Sequence, residues 1–280
     1  MLHAPKQEKA LLLNAAHLLV PKAAEEGGFH GPSILEFFPE IVLFEGTPFA
    51  LNRIMLIRLL MVALLVAIFW IGTSRMKIVP GRFQTLIEMG LNFVRVNIAE
   101  DLLGKKDGQR FLPLITTIFF MVLFMNITGI IPGLNIAGTS VIGVPLVLAV
   151  AAYVAFIYAG VKKHPGSFFR NALFPPGVPP FLYLIVTPIE FISTFVIRPI
   201  TLTLRLMMNM VVGHLLLVLF FAATQFFFFD TSGAFKLFGV GTLVFGFAFT
   251  LFEVLIAVLQ AYIFALLTAV YIQLALAEEH

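Results

Sequence analysis

The chain has 280 residues, 60% of them apolar and only 12% charged, with a formal net charge of +3. Soluble domains carry about 25% charged residues, so this composition excludes an ordinary soluble domain. No basic run is interleaved with exposed aromatics, which leaves no nucleic-acid patch. The absence of cysteine removes disulfides, thiolate metal sites and cysteine nucleophiles.

The stretch Ala10 to Val20 follows Lys6 and Lys9 and has the look of a signal h-region. Asn14 and His17 interrupt it, and Glu25 and Glu26 stand where a small-residue cleavage site belongs. Residues 1–53 are therefore expected to form an extramembrane or interfacial segment, with a membrane domain over 54–280. The first span is predicted near 54–72, with Arg58 snorkelling near its start and Trp70 at the interface.

Over about 82–103, Phe83, Leu86, Ile87, Leu91, Val94, Ile98 and Leu102 recur at helical spacing among Arg82, Glu88, Arg95 and Asp101. That pattern predicts an amphipathic helix, lying at the membrane surface or docked on other helices. From Phe111 to Val161 there is no Asp, Glu, Lys or Arg, and the stretch 132–140, rich in Gly, Asn, Thr and Ser taken together, divides it into spans near 111–131 and 141–161. Lys162, Lys163, His164 and Arg170 open the next loop, which closes on Pro175, Pro176, Pro179 and Pro180.

Two long apolar segments follow, near 181–229 and 237–276. At about 1.5 Å per residue they would measure roughly 70 Å and 60 Å, against a hydrocarbon core of about 30 Å. They must tilt, bend or split, and Pro188, Pro199, Gly239, Gly241 and Gly246 offer break points. The expected fold is all-α and integral to the membrane, with about five membrane helices, a long tilted helical hairpin and one amphipathic helix. Basic residues crowd the first-to-second and third-to-fourth connections, which places those loops in the cytoplasm, the N-terminus outside and the C-terminus inside.

An ionisable side chain at mid-membrane costs about 2.5–3.5 kcal/mol even on insertion scales, so each is a functional candidate. The two long segments contain Glu190, Arg198, Arg205, His214 and Glu253, with Asn209 and Gln260. Arg198, just before Pro199, reads as a snorkelling or capping residue. Arg205 keeps its proton at any accessible pH, so it is a fixed charge or a structural ion-pair partner rather than a proton relay. At about 100° per residue, Arg205 and Asn209 share one face, His214 falls nearly opposite, and Glu253 and Gln260 share a face of the last helix. No zinc, serine-hydrolase or phosphate-loop motif is present, and the Phe226–Phe229 run reads as a lipid- or interface-facing helix end rather than a cofactor box.

The stretch from Pro199 through Arg205 and Asn209 to Gly213 and His214 closely resembles the signature of subunit a of the rotary ATP synthases. So do Glu253 with Leu259-Gln260-Ala261-Tyr262, the closing Tyr271 with Glu278-Glu279-His280, and Phe124-Met125-Asn126 with Pro132. The resemblance implies a proton-translocating stator that is not catalytic alone. It would supply two half-channels to a ring of c subunits, beside b-type peripheral-stalk subunits, in a bacterial plasma membrane and with no cofactor. Arg205 would face the ring, with Gln260 opposite and Asn209 nearby. His214 and Glu253 would form the acid/base pair of one half-channel, exchanged between helices relative to many bacterial relatives, and Asn126 would match a polar residue near the entry channel. Gly129 stands where some relatives carry an acid. Glu190 resembles an exit-channel acid, one residue further from the arginine than in many relatives. A free-standing secondary transporter is the alternative class; it would be expected to show internal inverted repeats, and none is seen.

Overall fold

The computed structural model of the protein describes residues 31–33, 37, 41–43, 51–74, 76–131, 134, 136–163, 165, 168–174 and 179–277. The signal-like stretch and the closing Glu278-Glu279-His280 lie outside the described residues. Among the described residues, five helical segments are long and apolar enough to cross a membrane: Arg53–Ser74, Arg82–Ile127, Gly143–Lys163, Tyr183–Asp230 and Gly233–Leu276. The fold is all-α and membrane-integral. A short antiparallel pairing of β1 (Ile41–Leu43) with β2 (Leu51–Asn52) precedes the first span.

Helix α1 (Arg53–Ser74) starts where the Asn52 side chain accepts the Met55 N–H at 2.9 Å, an N-cap that satisfies one orphan donor. Ile54, Ile57, Met61 and Leu65 form its buried stripe, and Leu59, Leu60, Val66 and Trp70 are left on the outside. Arg58 has partners within the protein. Its Nε donates to the Gly138 carbonyl at 2.8 Å and its Nη2 to the Val141 carbonyl at 3.1 Å. Those carbonyls belong to a connection that helix hydrogen bonding leaves unsatisfied, so the guanidinium turns inward to them.

The amphipathic element is α2 (Arg82–Val94), continued by a π-helical turn at Arg95–Glu100. It is docked rather than free on a surface. Gly104, at φ 72°, breaks the helical path, and the chain folds back into α3 (Asp101–Ile127 by its full extent). The Phe93 ring meets Phe119 with centroids 5.9 Å apart. Gly108 lies so close to Ala99 that a Cβ there would stand 2.8 Å from the Ala99 carbonyl oxygen. The positive φ at Gly104 favours glycine, which is why the reversal falls at that residue.

Helix α4 (Gly143–Lys163) presents Ala149, Ala152, Ala159 and Gly160 to the interior, small residues that let membrane helices approach closely. After the short α5 (Phe168–Leu173), the first long segment is α6 (Tyr183–Phe191), a π-helical turn at Ile192–Ile197, and α7 (Arg198–Gln225). The interruption falls between the two prolines. Pro199 sits in the first turn of α7, where its missing N–H costs nothing. The second long segment, α8 (Lys236–Leu276), is a single helix of 41 residues that runs through Gly239, Gly241 and Gly246 without a break.

By internal contacts the chain divides into two compact units. In the smaller, Thr224 Oγ1 donates to Thr242 Oγ1 at 2.9 Å and Phe220 stacks on Phe245, joining the end of α7 to the start of α8. A π-helical turn at Phe226–Asp230 and Gly233, at φ 69°, make the corner, with Phe229 outermost. In the larger unit one core runs through Ile98, Ile115, Ile118, Val122, Ala152, Leu202, Leu206, Phe264 and Ile272. Ala257, Ala261, Ala265 and Ala269, spaced four apart, are fully buried along one face of α8. At one end of this unit Lys163 Nζ donates to the Leu276 carbonyl at 2.7 Å, and Arg110 and Lys162 both donate to the Tyr158 hydroxyl.

Candidate functional site

Arg205 lies on the exposed face of α7. Its neighbours there are Leu204, Met208, Asn209 and Val212, all exposed, while Leu202, Leu206 and Met210 turn into the core. Among the described residues Arg205 has no ion-pair partner; the single such pair joins Arg95 to Glu100 at 2.7 Å. The reading of Arg205 as a structural ion pair with Glu190 or Glu253 is therefore not realised in this geometry. A guanidinium presented on an apolar face needs a counter-charge from elsewhere.

Asn209, one turn further on, donates from Nδ2 to Gln260 Oε1 at 2.8 Å. Gln260 is 2% exposed and its Nε2 has no hydrogen-bond partner. The bond ties α7 to α8 one turn from the arginine.

His214 is on the other side of α7, 5% exposed, with its ring 5.1 Å from that of Phe37 in an edge-on contact. The residue before it, Gly213, opens a place for an acid. The Glu253 carboxylate of α8 sits so near the Gly213 Cα that a Cβ there would lie 2.8 Å from Oε1. Glu253 is 2% exposed and its Oε2 is unpartnered. The structure thus brings Glu253 against the Gly213–His214 step of the neighbouring helix. Gly213 escaped the sequence reading as a site residue because nothing in its identity announces a close approach.

Asn126, near the end of α3, is fully buried. Its Oδ1 accepts from Thr139 Oγ1, and its Nδ2 is left without a partner. Thr128 and Ser140 are buried as well, and Ile136 and Val141 pack in a cluster with Val211 and Leu215, which flank His214. Phe37 belongs to the same cluster, so the N-terminal segment expected outside the membrane domain contributes to this neighbourhood. Gly129 is hemmed in by Ala137, which would meet an added Cβ at 3.1 Å. An acid there would not fit without moving the connection.

Glu190 is half-buried on α6, apart from these groups. The π-helical turn at Ile192–Ile197 lies between it and Arg205. A π turn takes up about one extra residue relative to an α turn. The spacing of 15 residues between Glu190 and Arg205 therefore has the rotational phase of a spacing about one shorter. The Arg198 guanidinium stands 5.7 Å from the centroid of the Tyr271 ring, a cation–π contact.

The sequence model of the family described as ATP synthase A chain matches residues 55–273. ATP synthase subunit a of Rhodococcus erythropolis is 54% identical over 262 residues, covering 92% of this chain and 94% of that protein. ATP synthase subunit a of Frankia alni is 39% identical, covering 94% of this chain and 91% of the relative. That of Pseudarthrobacter chlorophenolicus is 38% identical, covering 92% and 97%.

Proposed function

From the premise that this chain belongs to the ATP synthase A chain family, and so is the proton-translocating subunit of that complex's membrane sector, we propose that Arg205 is the fixed charge separating two aqueous half-channels beside a ring of c subunits. The chain is not catalytic alone; it works inside the complex. Membership also removes the alternative of a free-standing transporter.

One observation carries the proposal: Arg205 is exposed on an apolar face with no ion-pair partner among the described residues. Such a charge in lipid costs at least about 2.5–3.5 kcal/mol, so a carboxylate from another subunit must meet it. A ring carboxylate is neutral while it faces lipid, and near Arg205 its ionised form is favoured. Protons therefore leave before passing the arginine. Each proton falling through the potential releases about 2.3 kcal/mol per 100 mV. Asn126, His214 and Glu253 line one half-channel and Glu190 serves the other, while Asn209 and Gln260 brace the helices at the crossing. The π turn at Ile192–Ile197 supports Glu190, because it gives the 15-residue spacing to Arg205 the rotational phase of a spacing about one shorter. Peripheral-stalk b-type subunits and the lipid of a bacterial plasma membrane cover the remaining apolar surface.

The test is ATP-driven proton uptake by inverted vesicles carrying Arg205→Ala, with assembly of ring and stator checked alongside. The expected result is an assembled complex that does not pump, with passive leak persisting or rising. Arg205→Lys should also fail, because an ammonium is more strongly hydrated and lacks the planar fork. Normal pumping in Arg205→Ala would eliminate the separator role. Loss of the assembled complex would return Arg205 to a structural role.

A further inference from the structure

The buried Asn126 amide is held from a distance. Thr139 Oγ1 donates to its Oδ1, and the residue before Thr139 is pinned from three sides. The Gly138 N–H is shared between the Met125 carbonyl at 3.0 Å and Thr128 Oγ1 at 3.1 Å. The Gly138 carbonyl accepts Arg58 Nε at 2.8 Å, and the Val141 carbonyl accepts Arg58 Nη2 at 3.1 Å. Gly138 is also packed onto Met125, whose sulfur would lie 2.5 Å from an added Cβ. One guanidinium thus fixes both ends of the turn that carries Thr139.

We propose that Arg58 is a positioning residue for proton access, acting through Gly138, Val141 and Thr139 to orient the Asn126 amide. The proposal rests on the reading that Asn126 borders a half-channel. The Thr139 bond occupies Oδ1 and leaves Nδ2 as the free donor of a fully buried group. A buried donor of this kind costs free energy unless something accepts from it, and a water in a polar space is the acceptor the chemistry suits. If the turn slips, Thr139 releases Oδ1, the amide is free to rotate, and the donor is no longer presented in one direction. Arg58 suits the task because its planar fork reaches two carbonyls at once and never loses its charge.

The experiment uses the intact complex. The chain contains no cysteine, so Ser140→Cys gives a unique thiol in this subunit at a site 3% exposed. Its labelling rate in the detergent-solubilised complex reports opening of the turn. Adding Arg58→Met should raise that rate about tenfold. In proteoliposomes Arg58→Met should also move the midpoint of ATP synthesis against the pH of the proton-supplying side, by about half a unit. Arg58→Lys, which keeps donors but not the fork, should restore part of both. Should Arg58→Met fail to assemble, Arg58→Lys and Arg58→Gln carry the same two readouts, and each must label faster than the parent. Unchanged labelling in an assembled variant would overturn the proposal. Faster labelling with an unmoved midpoint would overturn it too, reducing Arg58 to a purely structural tie. Asn126→Leu separates the two layers. If it leaves the pH dependence untouched, the half-channel reading fails, while the labelling rates still decide whether Arg58 holds the turn.

Discussion

Glu253 occupies space that exists only because residue 213 has no side chain: a methyl group on Gly213 would stand 2.8 Å from the Glu253 Oε1. The neighbour that must give way is a carboxylate on the fully packed side of α8, not the end of a surface chain. Gly213→Ala should therefore displace the carboxylate from the His214 step. The expected overpacking cost is about 1–3 kcal/mol, tolerable for assembly. Proton pumping in inverted vesicles should fall about tenfold, the kinetic equivalent of about 1.4 kcal/mol. Shortening the acid with Glu253→Asp in the same chain should recover part of the loss. If Gly213→Ala pumps at the parent rate, the contact has no functional weight.

His214 and Glu253 should behave as a coupled pair. Each neutral change, His214→Ala or Glu253→Gln, is expected to slow proton flux by about a hundredfold, the scale of a lost acid/base group. The reciprocal exchange, His214→Glu with Glu253→His, should exceed the slower single variant. A double-mutant cycle on flux decides the matter, and an exchange no better than the worse single change would mean that the two do not share a path.

The Asn209–Gln260 bond is asymmetric, because Asn209 is exposed and Gln260 is 2% exposed. Removing the exposed partner with Asn209→Leu strands a buried amide at a cost of about 1–3 kcal/mol. Gln260→Leu removes the buried amide and strands only a group that another molecule can reach. Thermal stability of the complex should fall more in Asn209→Leu than in Gln260→Leu, and the double variant should resemble Gln260→Leu. Equal losses in the two single variants would contradict this ordering.

Topology can be read from thiols placed at the basic end. Lys105, Lys106 and Lys162 are exposed, and Lys163 is tied to the Leu276 carbonyl, which gathers these connections and the end of α8 at one end of the larger unit. Single cysteines at Lys106 and Lys162 should be labelled by an impermeant reagent from the cytoplasmic side only. Labelling from the opposite side would invert the proposed orientation.

The separation of faces on α7 was legible from spacing: Arg205 and Asn209 are exposed and His214 is buried, as the angles require. Glu253 and Gln260 share the buried face of α8 for the same reason. What the sequence hid has a common cause. Arg58 is bonded to backbone carbonyls about eighty residues away, and a carbonyl has no letter in the sequence. The π turn at Ile192–Ile197 alters rotational phase without any signature residue, so fixed angular arithmetic misplaces Glu190 relative to Arg205. Gly104 carries no signal of its own in a charged stretch, yet it folds α2 back onto α3, and of the two placements open to the amphipathic helix, surface or docked, the structure has the docked one.

The alanines of α8 set a mechanical dimension. Ala257, Ala261, Ala265 and Ala269 back the helix onto the core, while Leu251, Leu255, Val258 and Leu259 stand on its outer side. Interaxial distance follows side-chain size, over a range of about 8–10 Å. Each alanine is therefore a shim, and its bulk fixes how far the outer leucines project toward whatever runs past them. Replacing Ala265 with valine would thicken the packing behind α8 and push its outer face outward without touching a polar residue. On the proposed placement beside a turning ring, that is a change of bearing clearance: friction or leakage against the ring would be adjusted from the buried side of the helix.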